Sequence, residues 1–164
     1  MGCLGVHFAV TRDQARRLLD AVDEESDDAV LELIEEIEEE WDEDNLQESD
    51  KSWDAIHRCL SDGTLDQETG SYPLNRCIFG GRHLCFSGDY FVVYVAPDEV
   101  KDVATALNDL SKEWLENRYW KLPPDYGNKD EVDFEYTWEN VGFLKAFFSK
   151  AAKAGRSVIF TVSQ

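Results

Sequence analysis

Apolar and polar positions fall into short periodic blocks along the chain. Residues 2 to 10, GCLGVHFAV, alternate with period two: Leu4, Val6, Phe8 and Val10 on one side, Cys3, Gly5, His7 and Ala9 on the other. That is a strand with one bulky and one small face, and the small face either admits a closely packed helix or lines a cleft containing His7. Thr11 and Gln14 form a capping box that opens a helix through Leu18, Leu19 and Val22. A second helix is predicted over residues 28 to 41, with Val30, Leu33, Ile34, Ile37 and Trp41 as its apolar stripe and glutamates elsewhere. Glu38, Glu39, Glu40, Asp42 and Glu43 crowd the negative end of its dipole. That end is expected to fray, and residues 42 to 49 to form a mobile polar connection.

The block DKSWDAIHRCLSDG, residues 50 to 63, predicts a third helix of roughly three turns, capped by Ser49 or Asp50 and stopped at Asp62-Gly63. Trp53, Ile56, His57 and Leu60 share its inward face. Residues 74 to 79 read as a strand or an irregular packed segment, ended by Gly80-Gly81. Residues 82 to 86 and 90 to 95 read as a hairpin around Ser87-Gly88-Asp89. Its second arm, YFVVYV, is apolar on both faces and belongs inside a sheet. Pro97 opens a helix carrying Val100, Val103, Ala104 and Leu107, and Ser111 starts a shorter one with Trp114, Leu115 and Tyr119. After the break at Pro123-Pro124, a long helix from about 131 aligns Phe134, Trp138, Val141, Leu144, Phe148 and Ala151, and Gly155 stops it. The last strand, SVIFTVS, is apolar on both sides and is placed centrally. The sum is an α+β fold over residues 1 to 164: a single domain whose small mixed sheet includes both terminal strands, packed against five to six helices.

Composition sharpens this outline. With 43% hydrophobic and 12% aromatic residues the chain supports a full core without staples. No apolar run reaches the roughly 18 residues of a membrane span and no secretion signal is present, so a cytoplasmic protein is expected. Cys3, Cys59, Cys77 and Cys85 show no paired spacing and are expected to be reduced and buried. His7, His57 and His83 stand alone, so no metal or other cofactor is implied; a site assembled in space, such as Cys3 with His7, is the alternative.

The formal charge of −19 comes mainly from residues 23 to 50, which hold sixteen acids and no Lys or Arg. Such a segment repels phosphate, so nucleic acid and anionic membranes are excluded as partners. Either a basic protein partner binds Glu35, Glu36, Glu38, Glu39 and Glu40, or these carboxylates are a solvated face.

The second candidate chemistry lies on the third helix. Asp54 stands three residues before His57 and four before Arg58, within reach of either. An Asp-oriented His is how a general base is built, and His7, Tyr72 and Trp53 are the groups that would complete a cleft around it. The competing reading, a core histidine satisfied by its neighbours, is preferred because no nucleophile accompanies His57 in the sequence.

The segments GCLGVHF at 2 to 8, DKSWDAIHRCLSDGTL at 50 to 65, YPLN at 72 to 75 with Gly80-Gly81, DFEYTW at 133 to 138 and AGRSVIFTVSQ at 154 to 164 resemble the YfbM family of uncharacterised bacterial proteins. They span nearly the whole chain in order. The resemblance implies a small cytosolic α+β domain of unknown function and brings no catalytic assignment. Two functions are therefore expected: an interaction or regulatory module with an acidic surface, or a small-molecule-binding protein or enzyme with a cleft near His57.

Overall fold

The two terminal strands lie side by side at the middle of one sheet. β1 (Gly5–Val10) pairs antiparallel with β5 (Ser157–Ser163), from Val6 opposite Thr161 to Val10 opposite Ser157. The computed structural model describes residues 3–163, so position 2 of the expected first strand lies outside the described residues. On the far side of β5 comes β4 (Tyr90–Val95), then the short β3 (Arg82–His83); beyond β1 lies β2 (Leu46–Asp50). All four pairings are antiparallel. The sheet is thus antiparallel where a mixed one was expected, because periodicity carries no information about strand direction.

Among the described residues six helices cover the two faces. α1 (Arg12–Ala21) and α2 (Asp28–Glu40) pack on one, and Leu18, Val30, Ile34 and Ile37 meet Phe8, Val10, Val92 and Ile159 there. α3 (Trp53–Leu60), α4 (Pro97–Asn108), α5 (Lys112–Tyr119) and α6 (Glu131–Ala154) pack on the other, over Ala9, Val93, Val158 and Phe160. The period-two split of β5 accounts for both cores: Val158, Phe160 and Val162 feed one and Ile159 the other.

The small face of β1 serves close packing. A Cβ on Gly5 would stand 2.8 Å from a Phe160 ring carbon and 2.9 Å from Trp53, so only glycine lets α3 approach the strand. Trp53 is buried there, and its indole N–H donates to the Cys3 carbonyl at 2.8 Å.

Residues 42 to 49 are not a mobile connection. A short 3₁₀ turn (Glu43–Asn45) leads into β2, with Val6 opposite Glu48 and Phe8 opposite Leu46. A bulge between Gly5 and Val6 sets off Ser49, whose hydroxyl donates to the Gly5 carbonyl at 3.3 Å. The end of α2 is likewise fixed: Trp41 turns left-handed at φ 43° and its N–H returns to Ile37 at 3.2 Å. Lys150 of α6 donates to the Asp44 carbonyl and holds the turn from outside. α3 is shorter than expected, eight residues, and begins after Ser52 without a side-chain cap. Gly63, at φ +95°, closes it by donating to the Arg58 carbonyl at 2.9 Å. Residues 74 to 79 form an irregular packed segment opened by a 3₁₀ turn at Leu74–Arg76, and the first hairpin arm pairs as a strand only at Arg82 and His83.

Candidate functional site

The inward face of α3 carries Trp53 and His57 into the core, as its spacing dictates. His57 is 1% exposed. Its Nε2 lies 2.7 Å from the Asp66 carbonyl, and the ring meets Phe79 edge-on at 5.4 Å. A carbonyl only accepts, so Nε2 carries the proton, and the buried Nδ1 has no partner. Burial pushes the imidazole pKa down, outweighing the Asp66 carbonyl and the nearby carboxylates of Asp54, Asp62 and Asp66. Asp54 turns to the other neighbour its spacing allowed: Arg58 Nε donates to it at 2.6 Å. A hollow lined by Leu65, Asp66, Gln67, Phe79 and Phe91 shares Asp66 and Phe79 with the surroundings of His57, but the imidazole does not line it.

His7, fully buried, repeats the pattern. Nε2–H donates to the Cys77 carbonyl at 2.7 Å, Nδ1 is unpartnered, and the ring is enclosed by Phe147, Phe148 and Phe160. Burial lowers its pKa to about 4. Tyr72 is 49% exposed, and its hydroxyl donates to Asp102 of α4 at 2.6 Å. That bond raises the phenol pKa to about 12. The cleft expected around His57, Asp54, His7 and Tyr72 is therefore not assembled, since each group is bonded to its own partner. Among the described residues no three of His, Cys, Asp and Glu converge as a metal-binding cluster.

The polar chemistry of α3 gathers instead around Arg58, which sequence reasoning noted only as an alternative partner of Asp54. Its side chain is 6% exposed. Nε donates to Asp54, while Nη1 donates to Asp125 at 3.1 Å and to the Gly63 carbonyl at 3.3 Å. Burial opposes the charge, but the two carboxylates prevail and raise the guanidinium pKa. Tyr126 lies under the guanidinium at 5.7 Å, and both Tyr126 and Tyr119 donate to Asp133 at 2.6 Å. Arg118 of α5 caps the same helix end: Nε donates to the Cys59 carbonyl at 2.6 Å and Nη2 to the Ser61 carbonyl, while the guanidinium stacks on Trp114 at 4.7 Å. Arg58, Arg118 and Lys121, with Asp62, Gly63 and Leu122, surround a hollow of about 230 Å³. Apart from the Asp54–Arg58 step, no local spacing announces this assembly, because its members meet only in three dimensions.

The glutamates of α2 divide by face. Glu35 and Glu39 are exposed to solvent. Glu36 pairs with Arg17 of α1 at 3.5 Å, and Glu38 turns inward to accept the Tyr90 hydroxyl. Glu36, Glu40 and Arg17 border a hollow of about 120 Å³ floored by Leu33 and Ile37. Glu40, Asp42 and Arg156 border a second, of about 260 Å³, backed by Phe8 and Ile37. Trp41, 36% exposed, packs edge-on to Phe8 at 6.0 Å.

The model of a family described as a domain of unknown function, DUF1877, matches residues 1–161. No curated protein matches the chain. Among solved structures, YfbM from Escherichia coli, a protein of unknown function, is similar with a TM-score of 0.67 at 17% identity, over 97% of this chain and 99% of that one. At that identity the likeness concerns the fold, which it supports from end to end. With a family match over almost every residue and the same α+β architecture in YfbM, the chain belongs to the DUF1877 family.

Proposed function

We propose that the protein is an interaction module that receives a basic protein partner on the acidic face formed by α2 and the turn after it. The observation that carries this reading is the pair of adjoining hollows sharing Glu40 and Ile37. Each combines apolar side chains with two carboxylates against one arginine: Glu36 and Glu40 against Arg17 in one, Glu40 and Asp42 against Arg156 in the other. That is the environment a Lys or Arg side chain fits, its aliphatic stem on the floor and its charge at the rim. Exposed Trp41 adds an aromatic surface close by, on which a guanidinium stacks. Glu35 and Glu39 extend the negative field and steer approach. Glu38 is excluded from the binding set, because its carboxylate is committed to Tyr90.

The test is affinity capture from cell extract on the immobilised protein, beside a Glu36→Gln, Glu40→Gln, Asp42→Asn variant. The reading expects a basic protein retained by the native chain at low salt. It should be lost from the variant, and lost near 1 M salt, where screening acts within about 3 Å. Identical capture by both proteins, or retention indifferent to salt, contradicts it.

A further inference from the structure

The cation-lined hollow between α3 and α5 lies in the layer on the other side of the sheet from α2, and the acidic-face reading makes no use of it. We infer that this hollow is a binding site for phosphate, as the free ion or as the phosphate group of a small molecule, held by Arg58, Arg118 and Lys121.

Four observations carry the assignment. First, Arg58 is buried and fixed by Asp54 and Asp125, so its guanidinium is pre-organised and little ordering is left for a ligand to impose. Its bonds to Asp54, Gly63 and Asp125 use Nε and Nη1 and leave over the Nη2 end of the fork. Second, Arg118 is fixed by two carbonyls and an indole through Nε and Nη2, which leaves Nη1.

Third, two of the three cations at the hollow have no acid partner. Arg58 is answered by Asp54 and Asp125, whereas Arg118 and Lys121 form no ion pair among the described residues. The lining holds three cations against the single carboxylate of Asp62. That carboxylate is turned to its own loop, its Oδ1 accepting from the Thr64 N–H, the Thr64 hydroxyl and the Thr69 hydroxyl. With that carboxylate engaged, Arg118 and Lys121 are left for an anion to bridge, and phosphate offers an oxygen to each. Fourth, the volume of about 230 Å³ falls below the roughly 300–1,000 Å³ of sites for drug-sized ligands. It suits a compact anion.

The test is an NMR titration of the full-length chain with inorganic phosphate, glycerol phosphate and acetate at constant ionic strength, reading backbone amides and arginine Nε–H signals. The site predicts saturable shifts at Gly63, Lys121, Arg58 and Arg118 with the two phosphates. Tighter binding of glycerol phosphate identifies an organic phosphate as the ligand, and equal binding identifies the free ion. Lys121→Ala removes a cation whose side chain has no partner among the described residues and should weaken binding about tenfold at an unchanged melting temperature. Arg118→Gln should weaken it at least as much, with some loss of stability from the uncapped end of α3. Three results overturn the inference: no saturable shift at these residues, equal shifts with acetate, or unchanged affinity in Lys121→Ala.

Discussion

His7 sits between Phe147, Phe148 and Phe160 with its proton committed to the Cys77 carbonyl, and it resists a second proton down to about pH 4. In the unfolded chain the same imidazole takes that proton near pH 6.5. The unfolded state therefore binds more protons between these values. The stability His7 contributes is complete above about pH 6.5 and falls as the pH drops toward 4, by about 3 kcal/mol. His57, whose pKa is also lowered by burial, adds to the same slope. Denaturant unfolding at stepped pH should show this loss, and His7→Leu should flatten it; an equal slope in the variant assigns the effect elsewhere. Trp53→Ala removes an indole from between Phe79 and Phe160 and breaks its bond to Cys3, which should cost about 3–5 kcal/mol. Asp54→Ala takes one of two carboxylates from a buried arginine. Its cost should fall short of the roughly 3–5 kcal/mol of a fully buried pair, since Asp54 is a third exposed and Asp125 remains.

Among the elements, β2 shows what periodicity can and cannot reveal. The apolar blocks that became α1, α2, α4, α6, β1 and β5 were legible because each buries a stripe that recurs at its own period. β2 reads LQESD, one apolar residue among polar ones, and lies at the edge of the sheet, so neither face leaves a pattern. Tertiary bonds hold it: Tyr136 of α6 donates to Asp50, and the Lys51 N–H donates to Tyr136 at 3.3 Å. Tyr136→Phe should cost about 1 kcal/mol and accelerate hydrogen exchange in β2 ahead of β5. Uniform acceleration across the sheet would refute this local latch. The candidate site divides the same way. That Trp53 and His57 face inward followed from helical spacing, but what they meet did not. Phe79 comes from an irregular segment and Asp66 from the loop after α3, while Arg58 finds Asp125 sixty-seven positions along the chain. Spacing orients side chains within an element; the partners in other elements are set by packing.

At the scale of the whole molecule, the charge of −19 is distributed rather than uniform. Acids dominate α2 and its following turn on one side of the sheet, and three cations gather at α3 and α5 in the opposite layer. The acids are therefore concentrated on one side of the sheet, where the field attracts cations most strongly. A polyanionic chain nevertheless attracts cations everywhere at low salt, so location must be separated from net charge. The deciding measurement compares the affinity of the captured basic partner for three proteins. These are the native chain, the Glu36→Gln, Glu40→Gln, Asp42→Asn variant, and a control with Asp98→Asn, Glu116→Gln and Glu139→Gln, which removes the same charge from α4, α5 and α6. The acidic-face account predicts a loss of at least about tenfold in the first variant and near-native affinity in the control. Equal losses in the two would reduce the interaction to bulk charge and contradict it.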